Sequence, residues 1–279
     1  MTGKQPLLVV DGDSFAHRAY HALPKTIRRR DGSAGAAIVG FANFLIKLYL
    51  EEKPTAVLAG WDTLDVPNHR QALFPAYQGG RVFDEELVQQ LNELPKFVDA
   101  CGFANAKAPG YEADDFLAAA VAREEGLGRR TVVASGDRDA FQLASELTTI
   151  VYPIRAGVME RVGPDEVRIK YGVDPKQVPD FIALRGDPSD KIPGAKGVGP
   201  STAASILRKY GSLENALADG RFEQQASELR LYRKVASMNP SAPIPKVRRQ
   251  IPEWARASAL TRGWGLNQLA DRLLKLQVT

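Results

Sequence analysis

Three short apolar runs, each leading to an aspartate, constrain this chain more than any other feature. Residues 7–10 (Leu-Leu-Val-Val) end at Asp11-Gly12, residues 56–61 end at Asp62, and residues 131–134 lead through Ser135-Gly136 to Asp137. Brief apolar runs bounded by turn signals read as buried parallel strands. Between them lie helical patterns: Ile38, Phe41, Leu45 and Leu48 at helical spacing, residues 84–100 with Pro95 inside, and residues 113–125 with acids in the first turn. Residues 103–106 and 148–152 read as further strands. The alternation predicts an α/β fold, a mostly parallel sheet flanked by helices. Sites in such sheets lie outside the carboxyl ends of the strands. Three strands therefore bring Asp11, Asp62 and Asp137 to one edge.

From about Pro175 the pattern changes to short helices and tight turns. The expected organisation is an α/β core over residues 1–174 and a helical lobe with the C-terminal helices over residues 175–279. Residues 237–249, rich in Pro, Ser and basic side chains, are the one stretch with the composition of a disordered segment.

Cys101 is the only cysteine, which excludes an internal disulfide and a thiolate zinc cluster. His17, His21 and His69 lack metal-binding spacing. Any bound metal must therefore be held by oxygen. The apolar stretch over residues 36–50 is broken by Asn43 and Lys47 and is too short to span a bilayer. No signal-peptide pattern opens the chain, so the expected location is the cytoplasm, and monomer is the default state. The net charge is +4. Its distribution says more: Arg28-Arg29-Arg30, Arg70 with Arg81, Lys191 with Lys196, Arg208-Lys209 and residues 246–249 form separate basic clusters. A basic exterior around an acidic centre suits a polyanion held over bound cations.

Nine acids recur in pairs or at strand ends: Asp11, Asp62, Glu112, Asp114, Asp115, Asp137, Asp139, Asp187 and Asp190. Two like charges 4 Å apart cost roughly 4 kcal/mol at an effective dielectric of about 20. If these acids converge, they need raised pKa values or cations. Hard divalent ions, Mg²⁺ or Mn²⁺, are the natural partners of such oxygens. A pair of ions can activate water and stabilise the leaving oxygen in a displacement at phosphorus. Asp137 and Asp139 point to one side if the backbone stays extended. Glu112 and Asp115 share a face if both are helical, and Asp114 then points away. Either Glu112 precedes the helix or one of these acids stands behind the others.

Gly194-Ala195-Lys196-Gly197-Val198-Gly199 precedes a helix but is neither a Walker loop nor a dinucleotide fingerprint. Glycines between two short helices let backbone amides approach a phosphate at a helix N-terminus, a grip independent of sequence. Lys191, Lys196, Gly197, Gly199, Ser201 and Thr202 are its candidate DNA contacts. Residues 70–81 interleave Arg, Tyr, Phe and Gly, a composition that suits a single strand with stacked bases.

Taken together, these residues resemble the 5′-nuclease family of flap endonucleases, the 5′-nuclease domain of bacterial DNA polymerase I and phage 5′-exonucleases. The matching pieces are Val10-Asp11-Gly12, His17-Arg18 through Tyr20-His21-Ala22-Leu23, Trp61-Asp62 and Gly110-Tyr111-Glu112-Ala113-Asp114-Asp115. They continue with Ser135-Gly136-Asp137-Arg138-Asp139, Gly186-Asp187-Pro188-Ser189-Asp190-Lys191 and Gly197-Val198-Gly199. The resemblance implies a PIN-like core, all nine acids in or around a two-metal site, and an arch over about residues 66–98 that clamps a 5′ single strand. It also implies a helix–hairpin–helix that grips duplex DNA and holds K⁺. Arg18, Tyr20, Arg70, Tyr77, Gln78 and Arg81 become candidate DNA contacts. The expected substrates are branched or 5′-ended DNA (flap, nicked or gapped duplex) and RNA/DNA hybrid, in replication and repair at a bacterial nucleoid. No polymerase segment follows Thr279, so a stand-alone enzyme is expected.

Two departures stand out. The family's arch usually reads Tyr-Lys, and this chain has Tyr77-Gln78; Tyr often precedes the first arginine, where this chain has His17-Arg18. Arg70 or Arg81 is the candidate substitute for the missing lysine charge, which would give both a catalytic role. Two rival readings are a branched-DNA-binding protein with weakened chemistry and a metal-dependent ribonuclease. Acids retained beside phosphate argue against the first, and the helix–hairpin–helix argues against the second.

Overall fold

The computed structural model describes residues 5–64, 66–80, 82–155 and 157–277. Strands β1 (Leu7–Asp11), β2 (Ala56–Gly60), β3 (Ala104–Ala106), β4 (Thr131–Ala134), β5 (Thr148–Arg155) and β6 (Val158–Val162) form one sheet in the order β3-β2-β1-β4-β5-β6. All pairs are parallel except β5–β6. The last pair is antiparallel: only two residues separate β5 from β6, too few for the crossover that a parallel pair needs. Helices α1 (Gly12–Ala22), α2 (Ala36–Glu52), α3 (His69–Leu73), α4 (Glu85–Ala100), α5 (Ala113–Gly126) and α6 (Pro164–Tyr171) interleave with the strands. After them come α7 (Val178–Arg185), α8 (Pro200–Tyr210), α9 (Leu213–Ala218), α10 (Ala226–Ala236), α11 (Trp254–Gly263) and α12 (Asn267–Leu276).

Alternation along each strand divides the core in two. Leu7 and Val9, with Leu58 and Val133, join α5, α7, α8 and α10 on one face. Leu8 and Val10, with Val57, Val132 and Ala134, join α1, α2 and α4 on the other. Every side chain of β1 and β2 is buried, as expected for central strands covered on both faces.

Packing also divides residues 175–279. α7 to α10 sit on the α5 face, whereas Trp254 of α11 and Leu269 and Leu273 of α12 pack with α2 and α4 on the opposite face. Between them, residues 237–253 form a strap that is ordered despite its composition. Met238 and Ala242 are buried. Gln250 donates from its backbone to Thr55 O at 3.0 Å, and its side-chain oxygen accepts from Val57 N at 2.7 Å. Both ends of the strap are thus tied to neighbours far away in sequence, Met238 N to Gln142 and Asn239 N to Asp115 at one end and Gln250 and Glu253 at the other.

Within residues 66–98, α4 is firmly packed: Leu87, Leu91, Leu94, Phe97 and Val98 are all buried. The part that overhangs the strand ends is α3 with the turns that follow it, where Tyr77, Gln78, Val82 and Phe83 face a cavity.

Candidate active site

The carboxyl ends of β1, β2 and β4 open onto a cavity of about 550 Å³. Asp11, Asp62, Glu112, Asp114, Asp137, Asp139 and Asp190 line it, as the strand-end reading anticipates; so does Asp13, which that reading overlooked.

Each acid is fixed by a local turn. Asp11 caps α1, accepting from Ser14 N at 3.0 Å and from Ser135 Oγ at 2.7 Å. Asp13 accepts from the backbone of Asp62 at 2.7 Å, and Asp62 accepts from Ala113 N at 2.7 Å. These two bonds tie the end of β2 to α1 and to α5. Gly12 permits the crowding, since a Cβ there would lie 2.3 Å from the Trp61 ring. Glu112 is the N-cap of α5, so it precedes the helix, and this is how Glu112, Asp114 and Asp115 can all reach the Arg70 guanidinium. The backbone is still extended at Asp137 but turns at Arg138: the Asp137 carboxylate accepts from Asp139 N at 2.9 Å and caps a 3-10 turn over Arg138–Leu143, so the two acids do not follow strand alternation. Both acids face the cavity by that route. Asp187 accepts from Ser189 N at 2.9 Å and from Arg185 Nη2 at 3.1 Å, closing the turn that presents Asp190.

Burial, with repulsion from neighbouring carboxylates, raises Asp11, Asp13, Glu112, Asp114 and Asp139. Desolvation lifts Asp11 to about 7, assisted by Asp62 and Asp137. Glu112 also rises to about 7, with desolvation outweighing the opposing pull of Arg70. Asp13 and Asp114 are raised by burial, and Asp139 by burial together with Asp137, Asp190 and Asp187. Among the described residues that line the cavity, the carboxylates outnumber the one guanidinium, Arg70.

Several candidates take places other than those expected. Arg70 is 1% exposed. Its Nε donates to Val235 O at 3.0 Å, and its guanidinium binds Glu112, Asp114 at 3.0 Å and Asp115 at 2.9 Å. It lines the cavity, but its donors are spent on protein oxygens, and it acts as the internal counter-ion of the α5 acids. Asp115 is fully buried and also accepts from Asn239 N at 2.8 Å; it braces the strap rather than lining the cavity. Tyr20 is buried, with its hydroxyl on Asp84 at 2.5 Å, so it is a strut between α1 and α4 and not a DNA contact. Tyr77 is buried too, and Gln78 Nε2 donates to its hydroxyl at 2.8 Å and to Asp190 at 3.2 Å. Arg81 lies outside the described residues. Arg18 is exposed beside the cavity rim, donating to Gly136 O at 3.3 Å. The remaining candidates, Lys191, Lys196, Gly197, Gly199, Ser201 and Thr202, are all exposed on the hairpin and at the start of α8.

Two family models match this sequence: the N-terminal resolvase-like domain of 5′-3′ exonucleases over residues 6–172 and their C-terminal SAM fold over residues 173–257. DNA polymerase I of Mycobacterium bovis is 41% identical over 216 residues, covering 76% of this chain and 24% of that protein. The thermostable DNA polymerase I of Thermus thermophilus is 35% identical over 251 residues, covering 89% of this chain and 29% of that protein. The chain thus spans about a quarter of the length of these relatives. Among solved structures, phage T5 5′-exonuclease with bound zinc superposes with a TM-score of 0.68 at 17% identity, covering 97% of this chain and 98% of that one. The T5 D15 flap endonuclease variant in complex with DNA and metal ions gives 0.67 at 18%, covering 98% and 100%.

Proposed function

The chain belongs to the 5′-3′ exonuclease family, and from that premise we propose that it is a structure-specific 5′-nuclease acting on flap, nicked or gapped DNA. The observation that carries the proposal is the carboxylate cavity at the sheet edge, where Asp11, Asp13, Asp62, Glu112, Asp114, Asp137, Asp139 and Asp190 converge on one space. The donor set fits hard divalent ions: it is all oxygen, Asp11, Glu112 and Asp190 are buried and most of the others half-buried, and among the described residues Arg70 and Arg185 neutralise only part of it. Asp11, Asp62, Glu112 and Asp114 would hold one ion, and Asp137, Asp139, Asp187 and Asp190 the other. Bound Mg²⁺ or Mn²⁺ would lower the pKa of attacking water and offset charge on the leaving oxygen.

The protein's own groups do the rest. Arg70 fixes the rotamers of Glu112 and Asp114, so that both carboxylates are preorganised. Gln78, held in a left-handed conformation (φ 50°) above Asp190, offers a neutral amide where the family carries an ammonium. It can donate a hydrogen bond to a scissile phosphate but supplies no charge. Arg18 stands at the rim for the 5′ strand. The exposed amides of Gly197 and Gly199 at the start of α8 grip duplex phosphate, and the same hairpin is the place for K⁺. RNA/DNA hybrid shares the 5′-ended geometry and is a second substrate class.

Asp137→Asn and Asp187→Asn should each abolish cleavage while binding of a 5′-flap duplex stays within a few-fold of wild type. Parallel loss of binding and cleavage in both variants would overturn these assignments.

A further inference from the structure

A second concave surface, of about 410 Å³, lies beside the carboxylate cavity. One wall is α8, which turns Ser201, Ala204 and Arg208 toward it; the other is Lys170 at the end of α6 with Arg185 of α7. Arg138, set between Asp137 and Asp139, closes the end nearest the acids. No carboxylate lines the groove. Lys170 and Arg185 are offset from outside it, by Glu160 at 2.8 Å and Asp187 at 3.1 Å. Arg138 and Arg208 donate to neutral oxygens, the Tyr152 hydroxyl at 3.3 Å and Gly172 O at 3.4 Å. Among the described residues neither forms a direct ion pair with a carboxylate. Arg185 Nε is buried without an acceptor, although the guanidinium is held firmly over the Phe181 and Tyr171 rings. Arg18 and Arg138 both lie over the Tyr152 ring, at 5.9 and 5.8 Å, so the positive surface continues from the catalytic rim into the groove.

We propose that this groove is a binding site for the sugar–phosphate backbone of duplex DNA, with Arg138 and Arg208 each contacting a phosphate of one strand as it leaves the catalytic edge. The inference rests on the 5′-nuclease reading and extends the hairpin's grip along α8. Ser201 to Arg208 spans about 10 Å at a rise of about 1.5 Å per residue. A duplex lying along α8 advances by roughly three base pairs over that length, at about 3.4 Å of axis per phosphate of one strand. The walls are rigid helices, which suit a regular duplex backbone better than a flexible single strand. Contacts confined to phosphate make the site indifferent to sequence.

The test is DNA affinity against salt in EDTA, where no cutting occurs, comparing wild type with Arg138→Gln/Arg208→Gln and with Arg138→Lys/Arg208→Lys. Each lost phosphate contact lowers the log–log slope by about 0.9, so wild type should lose about 12-fold more affinity than the Gln pair between about 50 and about 200 mM salt. The Lys pair should keep the wild-type slope, and a single-stranded oligonucleotide should show no difference among the three proteins. An unchanged duplex slope in the Gln pair, an equal loss in the Lys pair, or an equal loss on single strands overturns the groove assignment. Wild type that fails to bind flap duplex at all overturns the 5′-nuclease reading instead.

Discussion

Replacing Arg70 by Met tests how the acidic cavity is held together. The substitution keeps most of the apolar stem and deletes the guanidinium that binds Glu112, Asp114, Asp115 and Val235 O. Arg70 is 1% exposed and Asp115 is fully buried, so solvent cannot take over the lost interactions. Removing one partner from a buried ion pair costs about 3–5 kcal/mol, because the charge left behind stays desolvated. For a protein of this size each kcal/mol is worth roughly 2–4 °C, which gives a fall in Tm of roughly 6–20 °C. Scanning calorimetry at pH 8 in EDTA reads this directly. Repeating it with saturating Mg²⁺ should recover part of the loss, since divalent ions at Glu112 and Asp114 supply the missing positive charge. At pH 5 the loss should shrink, because the orphaned carboxyls can protonate. A fall in Tm below about 2 °C in EDTA at pH 8 would refute the reasoning, because it would mean that the three acids do not depend on Arg70.

The raised carboxyls also set a pH dependence for the metal-free wild type. Asp11 and Glu112 stand at about 7 in the folded state against ordinary values of 3.8 and 4.5, so between those limits the folded form binds more protons than the unfolded one. Their contribution to stability therefore falls as pH rises through that window; Tm in EDTA should drop from pH 5 to pH 8 and flatten in Mg²⁺, and a rise in EDTA would contradict the assignment. Gln78→Lys should increase the cleavage rate on the order of 10-fold by placing a positive charge at the phosphate. Single-turnover kinetics with unchanged Kd would confirm it, and an unchanged rate would show that the amide suffices. Gly194→Ala puts a methyl carbon 2.4 Å from Gly186 N at a φ of +78°. The resulting backbone clash should lower Tm and weaken duplex binding together, measured by calorimetry and anisotropy.

What was legible in the sequence was what local pattern dictates. Strands whose side chains are buried on both faces read as unbroken apolar runs, and the aspartates at or just after the ends of the parallel strands β1 and β2, Asp11 and Asp62, meet at one edge. Glu112 could be placed ahead of α5 only once the helix start was seen, because spacing alone allowed two arrangements. Arg70 read as a surface cation because its three carboxylate partners lie about forty residues on, and nothing nearby in sequence announces them. Asp13 went unnoticed although Asp11-Gly12-Asp13 repeats the spacing of Asp137-Arg138-Asp139. Tyr20 carries the composition of a stacking residue, but the partner that decides its role, Asp84, lies on a different helix boundary. The strap over residues 237–253 owes its order to Thr55, Val57, Asp115 and Gln142, all distant in sequence. In each case the deciding partner is tertiary.

The most direct test of the central claim is cleavage of a 5′-labelled flap duplex in Mg²⁺, in Mn²⁺ and in EDTA, with wild type beside Asp114→Asn. The account predicts cuts near the junction that require a divalent ion and disappear in the variant, with Gln78 in place. Tight flap binding with no cut under either metal, or cutting that persists in EDTA, would contradict it.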